Sequence, residues 1–426
     1  MKPYPTCFSR FGNLMFAALA VLSVCAGTIR AQALRTLADA RGIHIGVAIK
    51  DGTRAASYDS TVVREFNGAV CENAMKWGSL QNTRGVFTFT GADNIVNFAL
   101  AHGMVVRGHN FIWHQQSGFA DNMPAQATVK ATRDTMFKIM KTHITTVMNH
   151  FKGKIYEWDI VNEAVARDSA GMRLGTGNSS SFWSLRTDAA NNNWDFVDSA
   201  YTYARQADSS MFLVYNDYDC EGMGKKAQLV YDLVARLKSK KLVDGIGFQC
   251  HFHLDGQGTS NGAWDPQQTA TNFQRMAALG LRISLTEVDI RMTLPADSVQ
   301  LAAQRRAYET LMSICLANTN CKNFFVWGLD DASSWIPGSF PGMGAPLLFT
   351  SSGSVYTPKS AYYGLQGVLA NTSGVRRSPT VRLRTMRSGT LSETFDLRGR
   401  QIAHLPYNIF TVSKTAYIKP GASKAP

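Results

Sequence analysis

Ile155-Tyr156-Glu157-Trp158-Asp159-Ile160-Val161-Asn162-Glu163 is an apolar run of strand length that ends in an amide and a carboxylate. Its apolar members do not alternate strictly with polar ones, so the run reads as a strand covered on both faces. A second run, Ile283-Ser284-Leu285-Thr286-Glu287-Val288-Asp289-Ile290, has the same character and also reaches a carboxylate. Strands of this kind belong to parallel sheets flanked by helices.

Eight such runs are spaced along residues 43–370, at 43–48, 66–70, 104–111, 155–161, 211–216, 245–249, 281–288 and 323–327. Stretches with apolar residues at three- and four-residue spacing separate them, and predict helices over 93–102, 131–151, 194–207, 225–238, 269–279 and 298–317. Eight βα units close a sheet on itself, so the expected fold is α/β, a (β/α)8 TIM barrel with a short basic C-terminal extension. A 426-residue chain of 45% hydrophobic content has ample length for it.

The ends of the chain read differently from the middle. Lys2 and Arg10, an apolar stretch from residue 11 to 24 and Ala31-Gln32-Ala33 predict a signal peptide over 1–33, too short to span a bilayer. Cys25 offers a lipid-attachment alternative, which the bulky Val24 before it opposes. A catalytic domain is expected over 34–370, a linker over 371–379 and a small basic tail over 380–426. The tail's Thr394-Phe395-Asp396-Leu397-Arg398-Gly399-Arg400-Gln401-Ile402 resembles sorting or attachment modules of some secreted bacterial proteins, and a flexible basic tail is the other reading. Secretion, to the medium or to a cell-surface attachment, is the expected localisation.

Most of the formal charge of +13 lies at these ends. After Gly374 ten basic residues face two acidic ones, and the first 33 residues add three more basic side chains. The body keeps about +2, which excludes a nucleic-acid footprint on it. Of the seven cysteines, Cys315 and Cys321 stand closest outside the leader and are the expected disulfide. Cys71, Cys220 and Cys250 are left as buried thiols, or two of them pair.

In a barrel the strands' C-terminal ends form the active face, and both Glu163 and Glu287 fall there. A lone Glu in such a place is better explained as a helix N-cap neighbour or half of a structural ion pair. Two of them, with Asn162 beside one, can divide the hydrolysis of a glycosidic bond: one protonates the leaving oxygen, and the other attacks or activates water.

Seven motifs, each at a predicted strand end, carry a family resemblance. They are Cys71-Glu72-Asn73-Ala74-Met75-Lys76-Trp77, Gly108-His109-Asn110-Phe111-Ile112-Trp113-His114, Trp158 through Ala164, Tyr215-Asn216-Asp217-Tyr218, Gly247 through Phe252, Thr286 through Ile290, and Val326 through Trp335. Over residues 36–370 the chain resembles glycoside hydrolase family 10, the endo-β-1,4-xylanases. The resemblance implies a retaining double displacement with Glu163 as general acid/base, Glu287 as nucleophile and a covalent glycosyl-enzyme between the steps. It implies a carboxyl separation of roughly 5 to 5.5 Å. An acid working near neutral pH is expected to have a raised pKa, from desolvation and from Glu287.

The same resemblance makes His251 and Asp289 supports of the nucleophile, and puts Asn162 on a sugar hydroxyl next to the reacting carbon. Glu72, Asn73, Lys76, His109 and Gln249 would hydrogen-bond sugars, with Trp113, Tyr218, Trp327 and Trp335 as aromatic platforms. His251 and His253 share a strand face, which admits a metal site, but no third soft ligand is spaced to join them, so no metal and no cofactor are expected. Xylan and xylo-oligosaccharides are the implied partners. The chain departs from the family at Gln116-Ser117-Gly118-Phe119-Ala120, which lacks a usual Pro and Trp, and at Ile336 and Cys250, which puts subsite preference in doubt. A barrel acting on cellulose or mannan is one rival reading, and a binding protein on a catalytically dead barrel is another.

Overall fold

A computed structural model describes residues 32–115, 129–167, 171–173, 181, 183, 195–254 and 264–371. All but the last two residues of the expected leader, the Gln116–Ala120 departure, the tail and all but the first residue of the expected linker lie outside them. Eight strands build the barrel: β1 His44–Ile49, β2 Gly68–Cys71, β3 Val105–Gly108, β4 Glu157–Asn162, β5 Leu213–Asp217, β6 Gly245–Phe248, β7 Arg282–Thr293 and β8 Cys321–Val326. Each pairs in parallel with the next, and β8 pairs back to β1 through His44 with Asn323 and Val47 with Val326. Closure leaves no edge of the barrel sheet unpaired. Every residue of β2, β4, β5 and β6 is buried, as strands roofed by helices require.

Helices follow where the periodicity places them, among them Lys225–Ser239, Pro266–Ala278 and Ser298–Ala317. The last opens on a capping box, in which Asp297 accepts from the Gln300 amide and the Gln300 side chain accepts from the Asp297 amide. The Asp265 side chain caps Pro266–Ala278 by accepting from the Gln267 and Gln268 amides, with a proline in the first turn. Three of the longer helices lie outside the sequence expectation: Leu34–Arg41, Ala56–Glu65 and Ser360–Ala370. The first and last meet, since Arg41 Nε donates to the Leu369 carbonyl at 2.9 Å and Gln366 Nε2 to the Gln32 carbonyl at 2.8 Å.

Large side chains fill the barrel where glycines face them. A Cβ on Gly108 would lie inside the Trp158 indole, and one on Gly46 inside the Phe325 ring. Beneath them the floor is polar and ion-paired: Arg107, fully buried, donates to Glu157 Oε1 and Asp159 Oδ1, both at 2.7 Å. Ser284, Asn323 and Arg282 complete the hydrogen bonding of Glu157. Cys315 and Cys321 form the expected disulfide, and Cys71, Cys220 and Cys250 are free and buried.

Two strands extend beyond the barrel at its C-terminal face, differing from the sequence reading. The predicted strand 104–111 breaks after Gly108 and resumes as Ile112–Trp113, which pairs with Val161 and Asn162. The chain after β6 resumes as His251–His253 beside Asp289–Arg291, which explains why β7 runs on to Thr293. These extensions carry His251 and Trp113 above the barrel, level with the two carboxylates. No helix among the described residues is long and apolar enough to cross a membrane.

Candidate active site

The strand ends enclose a cleft of about 370 Å3, and both Glu163 and Glu287 line it. Asn162, Lys76, His109, Trp113, Tyr218, Gln249, His251, Trp327 and Trp335 also line it, so most of the expected site residues converge. Asp289 stands one contact behind, accepting at Oδ2 from His251 Nδ1 at 2.9 Å and from Trp335 Nε1 at 2.8 Å. Asn73 is likewise behind Lys76, whose ammonium donates to it at 2.8 Å and lies 4.9 Å from the Trp113 ring centre. Glu72 is buried next to them rather than on the cleft wall.

Three amides tie the carboxylates together. Gln249 Nε2 donates to Glu163 Oε1 at 2.9 Å and to Asn162 Oδ1 at 3.1 Å. Asn216 Nδ2 donates to the same Asn162 oxygen at 2.9 Å and to Glu287 Oε1 at 2.7 Å. Thr286 fixes the other end of Asn216 by donating to its Oδ1 at 2.7 Å. Asn216 is a site residue that the sequence reading passed over, although it stands inside the quoted Tyr215–Tyr218 motif.

The two carboxylates have unequal surroundings. Burial pushes Glu287 up, but His109, His251 and Asn216 outweigh it and hold the carboxyl at about 2. His251 answers in kind: burial would lower it, while Asp289 and then Glu287 lift it to about 10, so an imidazolium sits between two carboxylates at 2.9 and 3.3 Å. With both ring nitrogens committed, His251 is not free to bind a metal. Among the described residues no group of three or more His, Cys, Asp or Glu side chains is arranged to hold one.

Glu163 departs from the sequence expectation. Burial pushes its carboxyl up and Glu287 adds a small further push, yet the charge of His114 and the Gln249 hydrogen bond leave it below the ordinary value. His114 itself is lowered to about 4 by burial, so it is charged only in acid and acts as a neutral neighbour at pH 7, 3.6 Å from Glu163 Oε2. The expected raised pKa therefore does not exist in the sugar-free cleft, because amide donors face the carboxylate while the charge of Glu287 is largely compensated.

The backbone at Glu163 is also unusual, with φ of 58°, in the left-handed region that side chains other than Gly and Asn avoid. Its neighbours pin it there. The Glu163 amide donates to the Asn216 carbonyl at 2.9 Å, the Ala164 amide to the Tyr215 hydroxyl at 3.1 Å, and Arg173 Nε to the Glu163 carbonyl at 2.7 Å. Strain held this way recurs where a side chain must be aimed rather than merely packed. Arg173 and Lys226 both escaped the sequence reading. Lys226 is fully buried, 2.7 Å from Asp217 and 3.5 Å from the Tyr218 ring centre.

A closed parallel barrel that presents two carboxylates to one cleft from the ends of β4 and β7, one cationically supported and the other amide-bound, defines a (β/α)8 glycoside hydrolase. The sequence profile described as glycosyl hydrolase family 10 matches residues 33–368, and the chain belongs to that family, whose members retain anomeric configuration. Endo-1,4-beta-xylanase B of Thermotoga neapolitana is 33% identical over 362 residues, 83% of this chain and 96% of its own. Native xylanase 10B from Thermotoga maritima matches with a TM-score of 0.70 at 34% identity, covering 79% of this chain and 98% of that one. Xylanase 10B from Thermotoga petrophila RKU-1, solved in complex with xylobiose, gives 0.71 at 33% identity, covering 80% and 98%.

Proposed function

We propose that the chain is an endo-1,4-β-xylanase in which Glu287 attacks the anomeric carbon and Glu163 serves first as acid and then as base. The observation that carries this reading is the amide bridge of Gln249, Asn162 and Asn216, which aims both carboxylates into one cleft while cationic support gathers on Glu287. A carboxylate held at about 2 is ionised throughout the working pH range and ready to form the glycosyl-enzyme.

Glu163 must gain its proton when substrate arrives. A sugar chain entering the cleft expels water from that carboxyl, and desolvation, already the largest influence on it, then grows. Protonated Glu163 gives its proton to the leaving oxygen as Glu287 bonds to the sugar. Esterified Glu287 carries no charge, so Glu163 stays ionised and takes a proton from the water that cleaves the ester, restoring both groups. Asn162 faces the 2-hydroxyl of the reacting sugar, a contact that strengthens toward the transition state. Lys76, His109 and Gln249 supply polar contacts, and Trp113, Trp327 and Trp335 cover sugar faces.

Xylan is the substrate supported by the xylanase relatives and by the xylobiose bound to one of them. Lys76 leaning over Trp113 narrows the cleft, which suits a sugar lacking a hydroxymethyl group. Export is supported by the leader pattern and by the Cys315–Cys321 disulfide, which belongs to an oxidising compartment.

Glu287→Ala is expected to abolish turnover of every glycoside. Glu163→Ala is expected to retain activity on aryl xylobiosides whose acidic phenol needs no proton. Equal loss on both substrate types would refute the division of roles, and an inverted anomer in the first product would refute Glu287 as nucleophile. Faster cleavage of carboxymethyl-cellulose or mannan than of xylan would refute the substrate.

A further inference from the structure

One guanidinium touches both the proton donor and the wall of the cleft beyond it. Arg173, buried to 3% exposure, donates through Nε to the Glu163 carbonyl at 2.7 Å and through Nη2 to the Tyr218 hydroxyl at 2.7 Å. The same Nη2 lies 4.0 Å from Glu163 Oε2. The Arg173 amide donates to the Ala164 carbonyl at 2.9 Å, so its backbone is anchored to the residue after the acid. A rigid fork of donors can hold two oxygens at fixed separation, which a lysine cannot do.

The polarity of the second contact has a chemical consequence. A guanidinium has no acceptor, so the Tyr218 oxygen must accept from Arg173, and the phenol's own proton is left to point elsewhere. The Lys226 ammonium lies against the Tyr218 ring and is itself held by Asp217. Tyr218 lines the cleft, so its hydroxyl proton and its remaining ring face are what it can offer a sugar.

We infer that Arg173 is a positioning residue that ties the Tyr218 platform to Glu163, keeping the departing sugar in register with the proton it must receive. The inference rests on the assignment of Glu163 as the acid. Loss of the tie harms only the step in which a poor leaving group needs both a proton and a seat. A departing phenolate that needs neither is unaffected. The Arg173 charge beside Glu163 Oε2 also favours the carboxylate, so its removal lets Glu163 keep its proton to higher pH.

The test compares a linear xylo-oligosaccharide with a dinitrophenyl β-xylobioside on the full chain. Arg173→Gln is expected to lose about 10²-fold in kcat/KM on the oligosaccharide, the scale of a misplaced reacting group, and less than about 3-fold on the aryl glycoside. The alkaline limb of the oligosaccharide profile should move up in Arg173→Gln and stay in place in Arg173→Lys, which keeps the charge but not the fork. Equal losses on both substrates, an intact oligosaccharide rate, or selective loss with an unmoved alkaline limb would each overturn the inference. If Arg173→Gln does not fold, Tyr218→Phe, which removes only the hydroxyl that Arg173 holds, must show the same selectivity. Glu163→Ala measured alongside separates the two levels of argument. Its loss on both substrates alike would refute the acid assignment, whereas its selectivity beside equal losses for Arg173→Gln would refute the positioning role alone.

Discussion

Replacing His251 with Gln removes a cation from between two buried carboxylates, and the structure sets both the size and the pH window of the effect. His251 is lifted from its ordinary 6.5 to about 10, mainly by Asp289 at 2.9 Å and then by Glu287 at 3.3 Å, against the burial that would lower it. Each tenfold gain in proton affinity is worth roughly 1.4 kcal/mol, which puts an upper bound of about 5 kcal/mol on the contribution. Removing one partner of a buried ion pair typically costs about 3–5 kcal/mol, so the two scales agree. A raised pKa stabilises fully below the unfolded value and loses its contribution as pH climbs through the folded one. The gap in unfolding free energy between wild type and His251→Gln is therefore widest at pH 6 and shrinks toward nothing above pH 10. Urea unfolding at pH 6, 8 and 10 measures it.

The same substitution acts on Glu287 in the opposite pH window. Glu287 is held at about 2, so its stabilising contribution is complete above its ordinary 4.5 and fades as pH falls toward 2. His251 is one of its three main supports, with His109 and Asn216, and losing it should raise the acid limb of aryl-xylobioside hydrolysis by on the order of one pH unit. A stability gap that stays constant from pH 6 to 10, or an acid limb that does not move, would refute the picture of an imidazolium bridge.

Gly108→Ala is expected to lower the melting temperature or prevent folding, because its methyl would occupy the Trp158 indole in the barrel interior. A cost of at least about 1–3 kcal/mol is typical of overpacking, and an unchanged melting curve would show that the barrel interior yields more than its packing suggests. Glu163→Gly should inactivate the enzyme on xylan yet unfold at the same or a higher temperature, since glycine relieves a left-handed backbone worth roughly 1–2 kcal/mol. Marked destabilisation in calorimetry would mean that the side-chain hydrogen bonds of Glu163 outweigh the strain.

The barrel was legible because a strand covered on both faces must be apolar along its length. Each of the eight runs overlaps a barrel strand, and the largest displacement is at the end of β7, which runs on to Thr293. The helices read from periodicity also formed, Ser298–Ala317 with the expected bounds. Ala56–Glu65 was not anticipated, although Tyr58, Thr61, Val62 and Glu65 share a helical face, because its Ser, Thr and paired valines are poor helix formers. The break after Gly108 and the extension of β7 were invisible, since each depends on which neighbour pairs with it rather than on local composition.

At the site, motif positions located the carboxylates and most of the cleft. They did not reveal Arg173 or Lys226, which lie outside the strand-end motifs and matter through contacts with Tyr218. Nor could they give the ionisation of Glu163. That quantity depends on which atom of Gln249 faces the carboxylate, and an amide contributes a donor or an acceptor according to an orientation that only the folded network fixes.

Glu163 occupies a backbone position that glycine would fill with less strain, and the surrounding contacts from Asn216, Tyr215 and Arg173 hold it there. Selection for heat tolerance and selection for turnover therefore pull this one codon in opposite directions. A lineage relieved of the need to digest polysaccharide would drift here early, and would keep its barrel intact while doing so.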